Sequence, residues 1–184
     1  MKYKDLRGVE NSMLQRPTEN EYPKYYQPYI QLVPDGEIVQ ILQDNLLAVV
    51  TLFKGLSEEK ANHRYAPGKW SVKEVLGHII DTERIMTYRL LRVSRGDQTP
   101  LAGFNETDYV EAAQTHTLSM EAILEDFKAT RNAAITLIQN IPAGAWANIG
   151  NANGMEITTR AIAYIIVGHE MHHRKIVEER YLKR

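Results

Sequence analysis

Residues 70–96 read Trp70-Ser71-Val72-Lys73-Glu74-Val75-Leu76-Gly77-His78-Ile79-Ile80-Asp81-Thr82-Glu83-Arg84-Ile85-Met86-Thr87-Tyr88-Arg89-Leu90-Leu91-Arg92-Val93-Ser94-Arg95-Gly96. Ser71 with Glu74 three residues later is a capping box, in which each side chain satisfies a backbone N–H of the other residue. Trp70 and Val75 stand where a hydrophobic staple would hold the entering chain. Val72, Ile79, Met86 and Leu90 recur at helical spacing, and Gly96 supplies the stop. The stretch predicts a long amphipathic helix from Ser71 to about Arg95.

The same periodicity appears on either side. Ile38, Ile41, Leu42, Asn45, Leu46, Val49 and Leu52 predict a helix from near Asp35 to Gly55. Ser119 opens another, with Leu118 and Ile123 as a staple, and it ends before Pro142. A fourth spans about Ile157 to Tyr181. The connection over residues 96–118 is long, with a short helical turn expected around Asn105 to Ala113; a connection of this length is often functional or a crossover. Gly144, Gly150 and Gly154 mark an irregular loop before the fourth helix. No alternating strand pattern, repeat or low-complexity tract stands out. Residues 1–33, punctuated by Pro17, Pro23 and Pro28, read as an irregular arm packed along the bundle. Tyr22, Tyr25, Tyr26 and Tyr29 give the arm apolar area, with an aromatic wall over a ligand pocket as the alternative. The expected architecture is one all-α domain over 1–184, a four-helix bundle with a long connection between its second and third helices.

Composition narrows the function. The 184 residues include no cysteine, which removes disulfides and thiolate metal sites. Twenty-two basic residues against 23 acidic ones leave a net charge of −1 and no electrostatic footprint for nucleic acid. No apolar run approaches the ~20 residues that span a bilayer, and the first thirteen residues carry no apolar signal-peptide core. A cytoplasmic protein is expected, with neither membrane nor nucleic acid as a partner.

Six histidines stand at 63, 78, 116, 169, 172 and 173. Residues i and i+4 of a helix lie about 40° apart, so His169 and His173 can hold one ion from one face. With His169 at zero, Ile162, Ile165, Ile166, Ile176 and Val177 spread about it, which points His169 at the core. His173 falls about 40° to one side and His172 about 60° to the other, which places His172 at the shoulder. Two buried imidazoles one turn apart need a shared partner for their nitrogens. His78, inside the second helix, is the natural candidate for a third ligand, with a half-exposed histidine as the alternative reading; His63 and His116, in expected loops, are weaker candidates. Three imidazoles leave coordination positions open for substrate, as catalytic sites do. His169-Glu170-Met171-His172 also reads as H-E-x-x-H, with Glu170 as a general base for hydrolysis; a solvated helix position is the preferred reading of Glu170. Asp81, three residues after His78, is a candidate for orienting a ligand or water, against a surface ion pair with Arg84 or Arg89.

With these residues in view, the chain resembles the DinB/YfiT-like family of metal-binding four-helix bundles. The resemblance runs from Tyr65-Ala-Pro-Gly-Lys-Trp70 through His78, Asp81, Glu83 and Arg84, then Gly96-Asp-Gln-Thr-Pro100, and closes on Gly168-His-Glu-Met-His-His173-Arg. It implies that His78, His169 and His173 bind one divalent transition metal, nickel or zinc. YfiT-like relatives carry a further histidine where this chain has Gly77, and another where it has Glu83. The resemblance implies a metal-dependent hydrolase or a thiol S-transferase using bacillithiol, mycothiol or glutathione. The expectation taken forward is a metal-dependent enzyme acting on a small molecule, with thiol S-transfer first. Hydrolysis by water held at the metal is the first alternative, and a non-catalytic metal-binding stress-response protein the second. The thiol must arrive as a cosubstrate, because the chain has none, and a homodimer stays open.

Overall fold

A computed structural model describes residues 14–183; the first thirteen residues of the expected arm, and Arg184, lie outside it. Four long helices form the bundle: α2 (Ile38–Phe53), α4 (Val72–Ser94), α6 (Met120–Gln139) and α7 (Thr159–Ile176). Three short ones accompany them: α1 (Gln27–Leu32), α3 (Glu58–Ala61) and α5 (Glu106–Ala113). The helix starts follow the sequence chemistry. Ser71 Oγ accepts from Glu74 N, and the Glu74 carboxylate accepts from Ser71 N at 2.6 Å. The Asn105 side chain accepts from the N–H groups of Thr107 and Asp108, so the short helix expected in the long connection forms. Ser119 caps α6, although Leu118 is 48% exposed and contributes little as a staple.

Each of α2 and α4 packs against both α6 and α7. One apolar cluster joins Leu42, Met86, Leu90 and Ile138 to the inward face of α7, and a second joins Val49, Phe53, Leu76, Ile79 and Phe127. Arg131 of α6 threads between the helices with no exposed surface. It donates to both oxygens of Glu83 on α4 at 2.7 and 2.8 Å and to Leu42 O on α2 at 3.3 Å, and it lies 3.8 Å from Glu170 on α7.

Three expectations are corrected. Past residue 13 the arm is ordered chain: turns of 3-10 helix at Glu19–Glu21 and Lys24–Tyr26 lead into α1, which lies along α7. Strands are present: β1 (Ile149–Ala152) pairs antiparallel with β2 (Met155–Thr158). Asn153 at φ 56° and Gly154 at φ 77° form the turn, the Asn-Gly pair that two-residue hairpins favour. Ile157 therefore belongs to β2, and the last helix begins two residues later, capped by Thr158 Oγ1, which accepts from Ala161 N. That helix closes in a π-helical turn over Val177–Tyr181. The hairpin is tied to the long connection, for Leu101 N donates to Asn151 O and Asn153 N to Leu101 O. No described helix is long and apolar enough to cross a membrane.

Candidate metal centre

The capping box fixes where α4 begins, and so where His78 stands two turns in. The facing stripe of α7 carries His169 and, one turn on, His173. Packing of α4 on α7 brings the three rings together. His78 Nε2 lies 3.0 Å from His169 Nε2 and 3.2 Å from His173 Nε2. Donor atoms of all three fall within 4.8 Å of one another, and no other group of three or more histidines or carboxylates among the described residues does so. An ion with nitrogens at about 2.0–2.1 Å sets neighbouring nitrogens roughly 2.9–3.4 Å apart, from octahedral to tetrahedral angles. The spacings from His78 fit that range. Three nitrogens converging on one point make a poor hydrogen-bonded set, because each contact needs one donor and one acceptor.

The surroundings keep the imidazoles neutral. His78 is 2% and His169 5% exposed. Burial brings the His78 pKa down to about 4. Burial first, then the neighbouring His78 and His172, takes His173 down to about 3. His169 is held well below the ordinary histidine value by burial and then by His173 and His78. Neutral imidazoles with free lone pairs are the form that ligates a metal.

Aromatic rings wall the triad. Trp70 packs on His78 at 4.9 Å between centroids. Tyr29 of α1 meets His169 at 5.4 Å and His172 at 5.2 Å, both near edge-on. Tyr29 thus fits the aromatic-wall alternative raised for the arm. Gly168 makes the approach possible: a Cβ there would stand 2.0 Å from the Tyr29 carbonyl oxygen. A glycine inside an apolar helical stripe is the sequence signal of such a close backbone approach. His172 sits half-buried at the shoulder, 5.0 Å ring to ring from His173.

The two carboxylates proposed for chemistry have partners of their own. Glu170 is fully buried, not solvated, and accepts from Arg174 Nε at 2.9 Å, with Arg131 at 3.8 Å. Burial raises its pKa against the pull of those arginines, and its Oε2 has no hydrogen-bond partner. Asp81 stands 3.9 Å from Arg84, which is itself paired with Asp126 of α6. Burial raises the Asp81 pKa, with Arg84 opposing. Neither carboxylate belongs to the three-histidine group. His63 lies against Tyr181 and His116 near Glu74, both apart from the triad.

The model of the DinB superfamily matches residues 42–177, a span that includes all three histidines. The chain belongs to the DinB superfamily. Among solved structures it is similar to YfiT from Bacillus subtilis, described as "a probable metal-dependent hydrolase with an unusual four-helix bundle topology". That likeness has a TM-score of 0.70 at 14% identity and covers 92% of this chain and 90% of the other. The chain is also similar to a mycothiol-dependent maleylpyruvate isomerase, with a TM-score of 0.61 at 12% identity. There it covers 77% of this chain but only 60% of the isomerase. At such identities these likenesses establish the bundle fold. No curated protein matches the chain.

Gly77 and Glu83, singled out in the sequence, have defined surroundings. A Cβ at Gly77 would meet Thr115 Oγ1 at 2.6 Å. Glu83 is bonded through both oxygens to Arg131 and serves the bundle interior.

Proposed function

We propose that the protein is a metal-dependent enzyme acting on a small molecule, and that the reaction is transfer of an external thiol to an electrophile. The convergence of His78, His169 and His173 Nε2 atoms carries this reading. These three residues would hold one divalent nickel or zinc ion. When bound, such an ion supplies Lewis acidity that lowers the pKa of a thiol it holds. The chain's own part is to keep three imidazoles neutral, to orient them from two helices, and to shield them with Trp70 and Tyr29. His173 and His172, both only half-buried, mark the side from which a small molecule enters.

Thiol transfer is favoured over hydrolysis by the position of the carboxylates. Hydrolysis calls for a general base near the reacting water. Glu170 is engaged by Arg174 and Asp81 stands by Arg84, and neither carboxylate joins the three-histidine group. A thiol acidified by such an ion would give up its proton to solvent and would need no such base.

The test is a screen of metal-loaded protein against bacillithiol, mycothiol and glutathione, each paired with electrophiles such as monochlorobimane. Metal-dependent conjugation that disappears in His169→Ala is the expected result. Metal-dependent ester hydrolysis without thiol turnover would transfer the assignment to a hydrolase. Full metal occupancy with neither activity would mark a non-catalytic metal-binding protein.

A further inference from the structure

Arg89 of α4 is 3% exposed, yet no carboxylate among the described residues lies within ion-pair distance of it. The other deeply buried cations are paired: Lys73 with Glu58 at 2.6 Å and Arg131 with Glu83 at 2.7 Å. Arg89 has neutral partners only. Nη2 donates to Ala102 O at 2.7 Å, Nη1 reaches Met86 Sδ at 3.5 Å, and the Tyr26 phenol lies alongside. Its Nε–H is buried with no partner at all. A desolvated guanidinium with no counter-ion is costly to maintain, and an anion is what would offset the cost.

Its position relates it to the triad. Arg89 follows His78 by eleven residues, so it returns to within about 20° of the same helix face, roughly 16 Å further along. Its Nη1 contacts the side chain of Met86, which stands one turn nearer His78 on the same helix. Tyr26 beside Arg89 and Tyr29 beside His169 form one wall, their rings 6.4 Å apart. Phe104 covers the guanidinium at 6.0 Å.

We propose that Arg89 anchors the carboxylate of the small molecule that is handled at the triad. The proposal rests on the metal-centre reading only for what happens at the far end of that molecule. A carboxylate is the chemical match, because the planar guanidinium donates to its two oxygens in parallel. The incoming oxygens take over the donor now given to Ala102 O, and an aromatic or extended acid lies along Tyr26 and Tyr29.

Benzoate and the neutral benzyl alcohol are the probes, titrated by NMR into metal-depleted and metal-loaded protein. Wild type should bind benzoate about ten-fold or more tighter than the alcohol in both states. The metal-depleted arm excludes a carboxylate held only by the ion. Arg89→Met should erase the preference by weakening benzoate to the level of the alcohol, and Arg89→Lys should keep part of it. Equal affinities in metal-depleted wild type would overturn the proposal and leave Arg89 as a pin for the 102–104 segment. So would a preference that survives in Arg89→Met. If Arg89→Met does not fold, the wild-type comparison and Arg89→Lys decide. Metal content is measured separately, so failure of the metal reading and failure of the anion site give different results.

Discussion

Burial and mutual proximity hold the imidazoles of His78, His169 and His173 neutral, and this sets a pH dependence. In the unfolded chain each imidazole takes up a proton near pH 6.5. In the folded, metal-free protein uptake at His78 waits until about pH 4 and at His173 until about pH 3. Between these limits the unfolded state binds more protons, so stability rises with pH. The metal-free protein should be at full stability above pH 6.5 and lose it steadily as the pH falls toward 4 and below. Urea titrations at several pH values measure this; a flat profile from pH 7 to 4 would contradict the buried, neutral triad. At this scale the helical spacing of His169 and His173 was readable, because a turn of helix fixes which side chains share a face. The surroundings of Glu170 were not. Its partners Arg131 and Arg174 come from another helix and from the next turn, and the sequence does not say that they meet.

Among the elements, α1 and α7 approach more closely than any other feature of the chain announces. Gly168 permits it, and the Tyr29 backbone occupies the place of a Cβ. Gly168→Ala should force α1 away from α7, with a stability loss of at least ~1–3 kcal/mol, the usual scale of overpacking. It should also raise tyrosine exposure as Tyr29 leaves His169. Thermal melts and solvent quenching check both, and an unchanged melting temperature would show that the contact is not a close one. The capped helices α4, α5 and α6 were legible because Ser71 with Glu74, Asn105 and Ser119 act locally. The hairpin was missed since two four-residue strands are too short to display alternation, and only Asn153-Gly154 betrays the turn. Prolines and tyrosines obscured α1, whose helix is held by its docking on α7 rather than by its own sequence.

For the whole molecule, Arg131 is the common point of the bundle, joined to α2, α4 and α7 from α6. Its removal would leave Glu83 buried without its cation and Glu170 with Arg174 alone. Arg131→Met should therefore cost about 3–5 kcal/mol, and Glu83→Gln in the same chain should recover part of it. Additive losses in that double mutant would show that the two residues act independently. The four-helix architecture was legible as a whole because each long helix carries its own apolar stripe; the cross-links between helices became visible only once the stripes were packed. The central claim is the metal centre. X-ray absorption spectroscopy of the nickel- or zinc-loaded protein tests it most directly. The account predicts histidine nitrogens at about 2.0–2.1 Å from one ion, a signal lost in His173→Ala and retained in His172→Ala. An ion whose spectrum and occupancy are unchanged by His173→Ala would contradict it.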